Sequence, residues 1–195
     1  MSKVLMLFAS REGQTQKIIE RMRLIVSHAG HEVDLIRLEG QTADIRLEQY
    51  DAFMLGSSVR YGRHHARFCH FVERNAGALD AKLCYFFSVN LTARKVDRSE
   101  PHQNSYLTRF LRNGSLHPTS VEVFAGAFKL SRYNFFQKQL LRLIFRVSDG
   151  SSAPTEDHEY TDWCRVMRFA ERFVQQLAGD QVSGSKISDA NTAIP

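Results

Sequence analysis

The sequence predicts an α/β domain built on a five-stranded parallel sheet in the order 2-1-3-4-5, with helices on both faces. Three observations lead there. Strand-like and helix-like patterns alternate five times along the chain, which is how a parallel sheet wrapped by helices is encoded. The strands are short, nearly unbroken apolar runs, as in strands covered on both sides. The first of them ends directly in a polar turn that opens a helix, at the edge where open α/β sheets place their ligands.

Taken in order, Val4–Phe8 is a compact apolar run and reads as a buried strand. Ile18, Ile19, Met22, Ile25 and Val26 then recur at helical spacing within residues 14–29, and Gly30 closes that helix. Residues 32–38 (EVDLIRL) form the second strand. A polar stretch from Glu39 to Gln49 leads to the third, Tyr50–Ser57, and a helix follows from about His65 to Ala76. Lys82–Val89 (KLCYFFSV) is the fourth strand, Ser105–Arg112 a helix, and Val121–Phe128 (VEVFAGAF) the fifth strand. An insert spans about Lys129 to Glu159, and the last helix runs from about Thr161 to Leu177. Domain 1–178 is thus one unit, and the small polar residues of 179–195 are expected to be a disordered tail. Five strands in this alternation favour the flavodoxin-like arrangement, with its ligand at the carboxyl ends of strands 1 and 3.

Composition narrows the classes. The 195 residues are 43% hydrophobic and 24% charged, enough for one domain with a core. Cys69, Cys84 and Cys164 lie far apart and form no CxxC, which suits a reducing cytoplasm and offers no zinc or disulfide framework. The apolar start of MSKVLMLFAS is cut short by Arg11 and Glu12, so it is too brief for a secretory h-region. No segment has the ~18 apolar residues of a spanning helix. The formal charge of +5 points to an anionic partner.

The first βα turn, Ser10-Arg11-Glu12-Gly13-Gln14-Thr15, carries the chemistry. A helix start presents unpaired N–H groups and the positive end of its dipole. Ser10 and Thr15 add hydroxyls, Gly13 lets the backbone fold close to a phosphate, and Arg11 adds charge. The turn lacks GK[ST] and GxGxxG, which argues against nucleoside triphosphatases and dinucleotide folds. An ordinary capped turn would look the same in isolation. Two further loops converge on the same crevice: Ser57-Ser58-Val59-Arg60-Tyr61-Gly62 after strand 3, and Ser88-Val89-Asn90-Leu91 after strand 4. A flat ring there needs donors at its edge and cover on its faces, which Val59, Tyr61 and Leu91 could supply, although Tyr61 could equally pack on a helix.

These segments, with GSSVRYGRHH at 56–65, FFSVNLTARK at 86–95, NSY at 104–106, AGAFKLSRYNFF at 125–136 and YTDW at 160–163, resemble the flavodoxin-like, menaquinone-dependent protoporphyrinogen IX dehydrogenases of bacteria. The resemblance spans about residues 3 to 178; SVNLTARK and the basic insert are its most specific parts. It implies noncovalent FMN, oxidation of protoporphyrinogen IX to protoporphyrin IX in haem synthesis, and electron transfer to a membrane quinone, menaquinone or ubiquinone. On the match, residues 10–15 would hold the phosphate, and the loops at 57–62 and 88–95 would border the flavin ring. Arg94, Lys95, Lys129 and Arg132 are candidates for the substrate propionates on charge and loop location.

Within the insert, Arg132–Val147 (RYNFFQKQLLRLIFRV) reads as a helix. Phe136, Leu140, Leu143, Ile144 and Val147 form one stripe, and Lys138, Arg142 and Arg146 another. Between Val123 and Ser148 the charged residues are Lys129, Arg132, Lys138, Arg142 and Arg146, with no acid. A basic helix with Phe and Leu opposite suits an anionic membrane interface. A helix packed on the domain with a solvated basic face would carry the same pattern. The expected place is therefore the cytoplasmic side of the inner membrane, peripherally bound. A nucleic-acid partner is not expected, because no base-stacking module is recognisable.

His64 and His65 are neighbours that cannot share a helix face, so they are expected at a helix start or flavin edge and not on a metal. Trp163 and Phe169 are expected in the core, and His102, His117 and His158 in exposed loops. Three other readings stay open at this point: a soluble flavodoxin-type electron carrier, an NAD(P)H:quinone reductase, and a membrane- or nucleic-acid-binding module without catalysis.

Overall fold

The computed structural model describes residues 1–38, 45–128 and 156–190, from 180 onward by backbone alone. Its strands are β1 (Lys3–Ala9), β2 (Glu32–Arg37), β3 (Ala52–Arg60), β4 (Arg63–His64), β5 (Leu83–Asn90), β6 (Ser120–Ala125), β7 (Ala127–Phe128) and β8 (His158–Glu159). The helices are α1 (Gln14–His28), α2 (Ala66–Asp80), α3 (Ser105–Asn113) and α4 (Trp163–Ala190).

The main sheet runs β2-β1-β3-β5-β6 with every neighbour parallel. This is the 2-1-3-4-5 order expected from the alternation. Each strand's two faces feed two cores. Val4, Met6 and Phe8 of β1, with Ala52, Met54, Tyr85, Phe87 and Phe124, pack against α1 and α4. Leu5, Leu7 and Ala9, with Phe53, Leu55, Phe86 and Val123, pack against α2 and α3. An unbroken apolar run is therefore split by the pleat into two buried faces. Aromatic contacts tie both layers: Phe68 stacks on Phe86 at 5.2 Å, and Phe169 meets Tyr85 at 4.9 Å. The expected core place of Phe169 holds, and Trp163 is partly buried at its margin.

Four elements differ from expectation. Ser57–Arg60 is not loop but the continuation of β3, which turns back through Tyr61-Gly62 into β4. Serines and an arginine at a sheet edge conceal a strand whose outer partner is only two residues long. The fifth strand is not continuous: β6 stops at Ala125, and past Gly126 the chain pairs antiparallel with β8 as β7. Gly126 sits against Val89, where an added Cβ would approach the Val89 side chain to 3.5 Å. Helix α2 reaches Asp80, beyond Ala76. Helix α4 reaches Ala190, past the last apolar position at Leu177, with no proline to stop it before Pro195.

The insert helix at 132–147, with Lys129, Arg132, Lys138, Arg142 and Arg146, lies outside the described residues. Among the described residues, no helix is long and apolar enough to cross a membrane, and no group of His, Cys, Asp or Glu could hold a metal.

Candidate functional site

Strand register brings the three loops to one edge. Ala9 of β1 pairs with Ser57 of β3, Ser57 pairs with Ser88 of β5, and Asn90 pairs with Ala125 of β6. The carboxyl ends of the four strands thus form a row, Ser10, Ser57 and Ser58, Ser88 to Asn90, and Ala125, at the place where open α/β sheets bind ligands.

The turn after β1 is built by Gly13. Its φ of 88° lies in the left-handed region, which costs a glycine little, and its N–H donates to Ser10 Oγ at 3.0 Å. Helix α1 begins at once with no side-chain cap and no acid in its first turn. Its amino end therefore keeps free N–H groups and an uncompensated positive dipole end, the setting that favours an anion. Gln14 and Thr15 are buried behind the turn. Gln14 Nε2 donates to Thr161 Oγ1 at 2.9 Å, and Thr161 in turn donates to the Ala125 carbonyl at 2.8 Å. The start of α1 is thereby pinned to the end of β6.

Four side-chain atoms in this region are buried without a hydrogen-bond partner: Gln14 Oε1, Thr15 Oγ1, Ser58 Oγ and His65 Nδ1. A buried polar atom left unpaired costs about 1–3 kcal/mol. Their gathering along one sheet edge is the mark of a site that a polar ligand completes, and the donors fit a phosphate ester with a hydrogen-bonding ring.

The second loop is a two-residue hairpin. Val59 faces His64, Arg60 faces Arg63, and Tyr61 (φ 51°) and Gly62 (φ 74°) both adopt left-handed conformations. That is the turn geometry matching the twist of antiparallel strands, although Tyr is a costly residue for it. The Tyr61 ring is 86% exposed at the tip, so it packs on no helix. Arg60 lies over that ring at 5.2 Å and pairs with Glu12 of the first turn at 3.7 Å, which joins the two loops.

The third loop is anchored from below. Asn90 Oδ1 accepts from the Ala93 N–H at 3.0 Å and from Thr92 Oγ1 at 2.7 Å. Asn104, fully buried, bonds Asn90 and caps α3 through the Leu107 N–H. Leu91–Arg94 becomes a short 3-10 turn. Arg94 donates to the Leu91 carbonyl at 2.9 Å and lies 5.9 Å from the Tyr160 ring centre. Lys95 follows directly at the turn's end.

Sequence reasoning missed three participants. His64 is not at the ligand edge: it is buried beneath the hairpin, in contact with the rings of Phe86 and Phe110 and bonded through Nε2 to Ser88 Oγ at 2.9 Å. Burial pushes its imidazole down to about 4, so it is neutral near pH 7. Asn104 is hidden in the sequence because a buried cap looks like any loop asparagine. Arg37, the last residue of β2, reaches the Ser10 carbonyl at 3.4 Å. A charged residue ending a strand one position past an apolar run was the only available hint.

Comparison with known proteins agrees with this geometry. A flavodoxin domain model matches residues 5–155. The chain is 34% identical over 168 residues to "Protoporphyrinogen IX dehydrogenase [quinone]" of Escherichia coli (strain K12), covering 86% of this chain and 92% of that protein. It is 37% identical over 172 residues to the protein of that name from Leishmania major, covering 88% and 74%. Oxidised flavodoxin 1 from Bacillus cereus shares the fold at 17% identity, with a TM-score of 0.53 over 89% of this chain and 98% of that one. The chain belongs to the flavodoxin-domain family of the quinone-linked protoporphyrinogen IX dehydrogenases, a family of oxidoreductases.

Proposed function

We propose that the crevice holds FMN and that the chain oxidises protoporphyrinogen IX to protoporphyrin IX, passing the electrons to a membrane quinone. The observation that carries this reading is the set of unpartnered buried polar atoms at the sheet's carboxyl edge, in a chain this similar to dehydrogenases of that name. FMN, when bound, supplies the two-electron redox chemistry. The chain's own residues do the rest. Ser10, Thr15 and the N–H groups of residues 11–15 hold the phosphate. Ser57 to Val59 and Ser88 to Leu91 border the ring, and Tyr61 covers one face. Arg94, Lys95, Lys129 and Arg132 take the substrate's carboxylates. Lys138, Arg142 and Arg146 lay the insert on an anionic membrane at the cytoplasmic side, which keeps the active crevice close to the quinone pool.

An absorption spectrum of the pure protein tests the cofactor, and porphyrin fluorescence in an anaerobic assay with porphyrinogen and a quinone tests the reaction. Flavin bands and quinone-dependent porphyrin formation are the expected results. A colourless protein that takes up no FMN would defeat the reading. A flavoprotein that reduces quinone with NAD(P)H but leaves porphyrinogen untouched would establish the reductase in its place. Arg94→Ala is expected to raise the KM for porphyrinogen roughly tenfold, the scale of a lost charged hydrogen bond, with FMN retained. Unchanged kinetics would remove Arg94 from the substrate site.

A further inference from the structure

Cations crowd the first turn from three separate elements. Arg11 stands in the turn itself, Arg37 ends β2, and Arg67 lies in the first turn of α2. Register explains the convergence. Arg37 pairs with Phe8 on one side of β1, and Ser57 pairs with Ala9 on the other, so the ends of β2 and β3 flank the chain where it bends at Ser10. Arg37 Nη2 donates to the Ser10 carbonyl and Nη1 to Gln16 Oε1, each at 3.4 Å. On the opposite flank the His65 N–H donates to Ser57 Oγ at 3.3 Å, while its Nδ1 is buried and unpaired. One imidazole reports on all three guanidinium groups: burial first, then Arg11, Arg67 and Arg37, hold its pKa below the usual value. The acid of this turn, Glu12, is paired with Arg60. Inside the turn, Thr15 Oγ1 and Gln14 Oε1 are buried without partners, in residues at most 4% exposed.

We propose that Arg37, Arg67 and His65 complete with Arg11 a cationic collar around the turn, which makes a 5′-phosphate ester the dominant source of flavin affinity and selectivity. This deepens the FMN reading and rests on it. The dipole and N–H groups of α1 meet the phosphate from within, and guanidinium forks, suited to paired phosphate oxygens, meet it from outside. Like charges held together repel one another in the empty fold, and a dianion relieves that repulsion. Because Arg11, Arg37 and Arg67 are exposed, salt screens the effect.

The test titrates flavin-stripped full-length protein with FMN and with riboflavin, following quenching of flavin fluorescence at low and high salt. Wild type, Arg37→Gln, Arg37→Lys, Arg67→Gln and the Arg37→Gln/Arg67→Gln double variant are compared. Wild type is expected to prefer FMN over riboflavin by on the order of a hundredfold at low salt, with the ratio shrinking as salt rises. Each Gln variant should lose roughly tenfold in FMN affinity, with riboflavin unchanged and Arg37→Lys intermediate. Riboflavin binding serves as the check that the crevice still folds. If wild type takes neither flavin, the FMN reading fails and the collar falls with it. If wild type takes FMN but the double variant keeps the same FMN-to-riboflavin ratio and salt slope, the collar is overturned and the FMN reading stands. Equal loss of both flavins in both single variants also overturns it, since the arginines would then be structural.

Discussion

His64 shows how a single side chain can be read wrongly from its neighbours and correctly from its surroundings. Next to another histidine and a glycine turn it looks like a ligand-edge residue. The fold puts it 8% exposed between two phenylalanine rings, with one hydrogen bond to Ser88. Its pKa is about 4 in the fold against 6.5 for the free side chain. Between these values the unfolded chain binds the extra proton, so acid favours unfolding. The contribution is fully present above pH 6.5 and declines as pH falls towards 4. From pH 7 to pH 5 the loss from this residue is about 2 kcal/mol. Urea denaturation at the two pH values should show that loss in wild type and a much smaller one in His64→Gln. An equal pH dependence in both would mean that His64 is charged in the native state.

At the scale of the element, the Val59–His64 hairpin stores strain where the ring of a ligand would lie. A two-residue turn of this geometry prefers Asn-Gly, yet Tyr61 holds the first position at φ 51°. Such a residue costs about 1 kcal/mol or more and persists where something else needs its side chain. Tyr61→Asn is therefore expected to raise the melting temperature of flavin-free protein by about 2–4 °C, given about 1 kcal/mol in a chain of this size. The same change should weaken FMN binding, because the exposed ring is no longer there to cover the flavin. Thermal melts of the flavin-free protein, paired with FMN titration, measure both effects. A variant that melts lower and binds FMN as before would show that the tyrosine serves the turn and not the ligand. The asparagine pair Asn90–Asn104 plays the opposite part in the third loop. It ties a 3-10 turn and the α3 cap to one buried contact, which keeps that border rigid.

Across the whole molecule, two cores clamp the sheet so that its carboxyl edge is left for polar residues. The proposed membrane role adds a second surface, carried by residues outside those described here. If it holds, the protein should sediment with vesicles containing anionic lipid and not with neutral ones, and more weakly as salt rises. Replacing Lys138, Arg142 and Arg146 with alanine should release it, each contributing about 1 kcal/mol near such a surface. Equal sedimentation with neutral vesicles would point to the apolar stripe in place of charge.

The alternation of apolar runs with helical spacing, written in local sequence, determined the layer architecture, the parallel sheet and the position of the first turn. Gly13 in a polar βα turn was legible for the same reason: backbone freedom and helix-end polarity are properties of neighbouring residues. What tertiary structure alone decided was which distant residues meet. Arg37 joins the first turn only because β2 pairs in register with β1, and Thr161 reaches Gln14 only because α4 lies beside α1. Likewise the apolar run VEVFAGAF breaks at Gly126 because a segment more than thirty positions on, at His158–Glu159, supplies a closer partner. Periodicity records which face of an element is buried, whereas strand register and burial, which set the partners and the pKa values, arise only when separate segments pack.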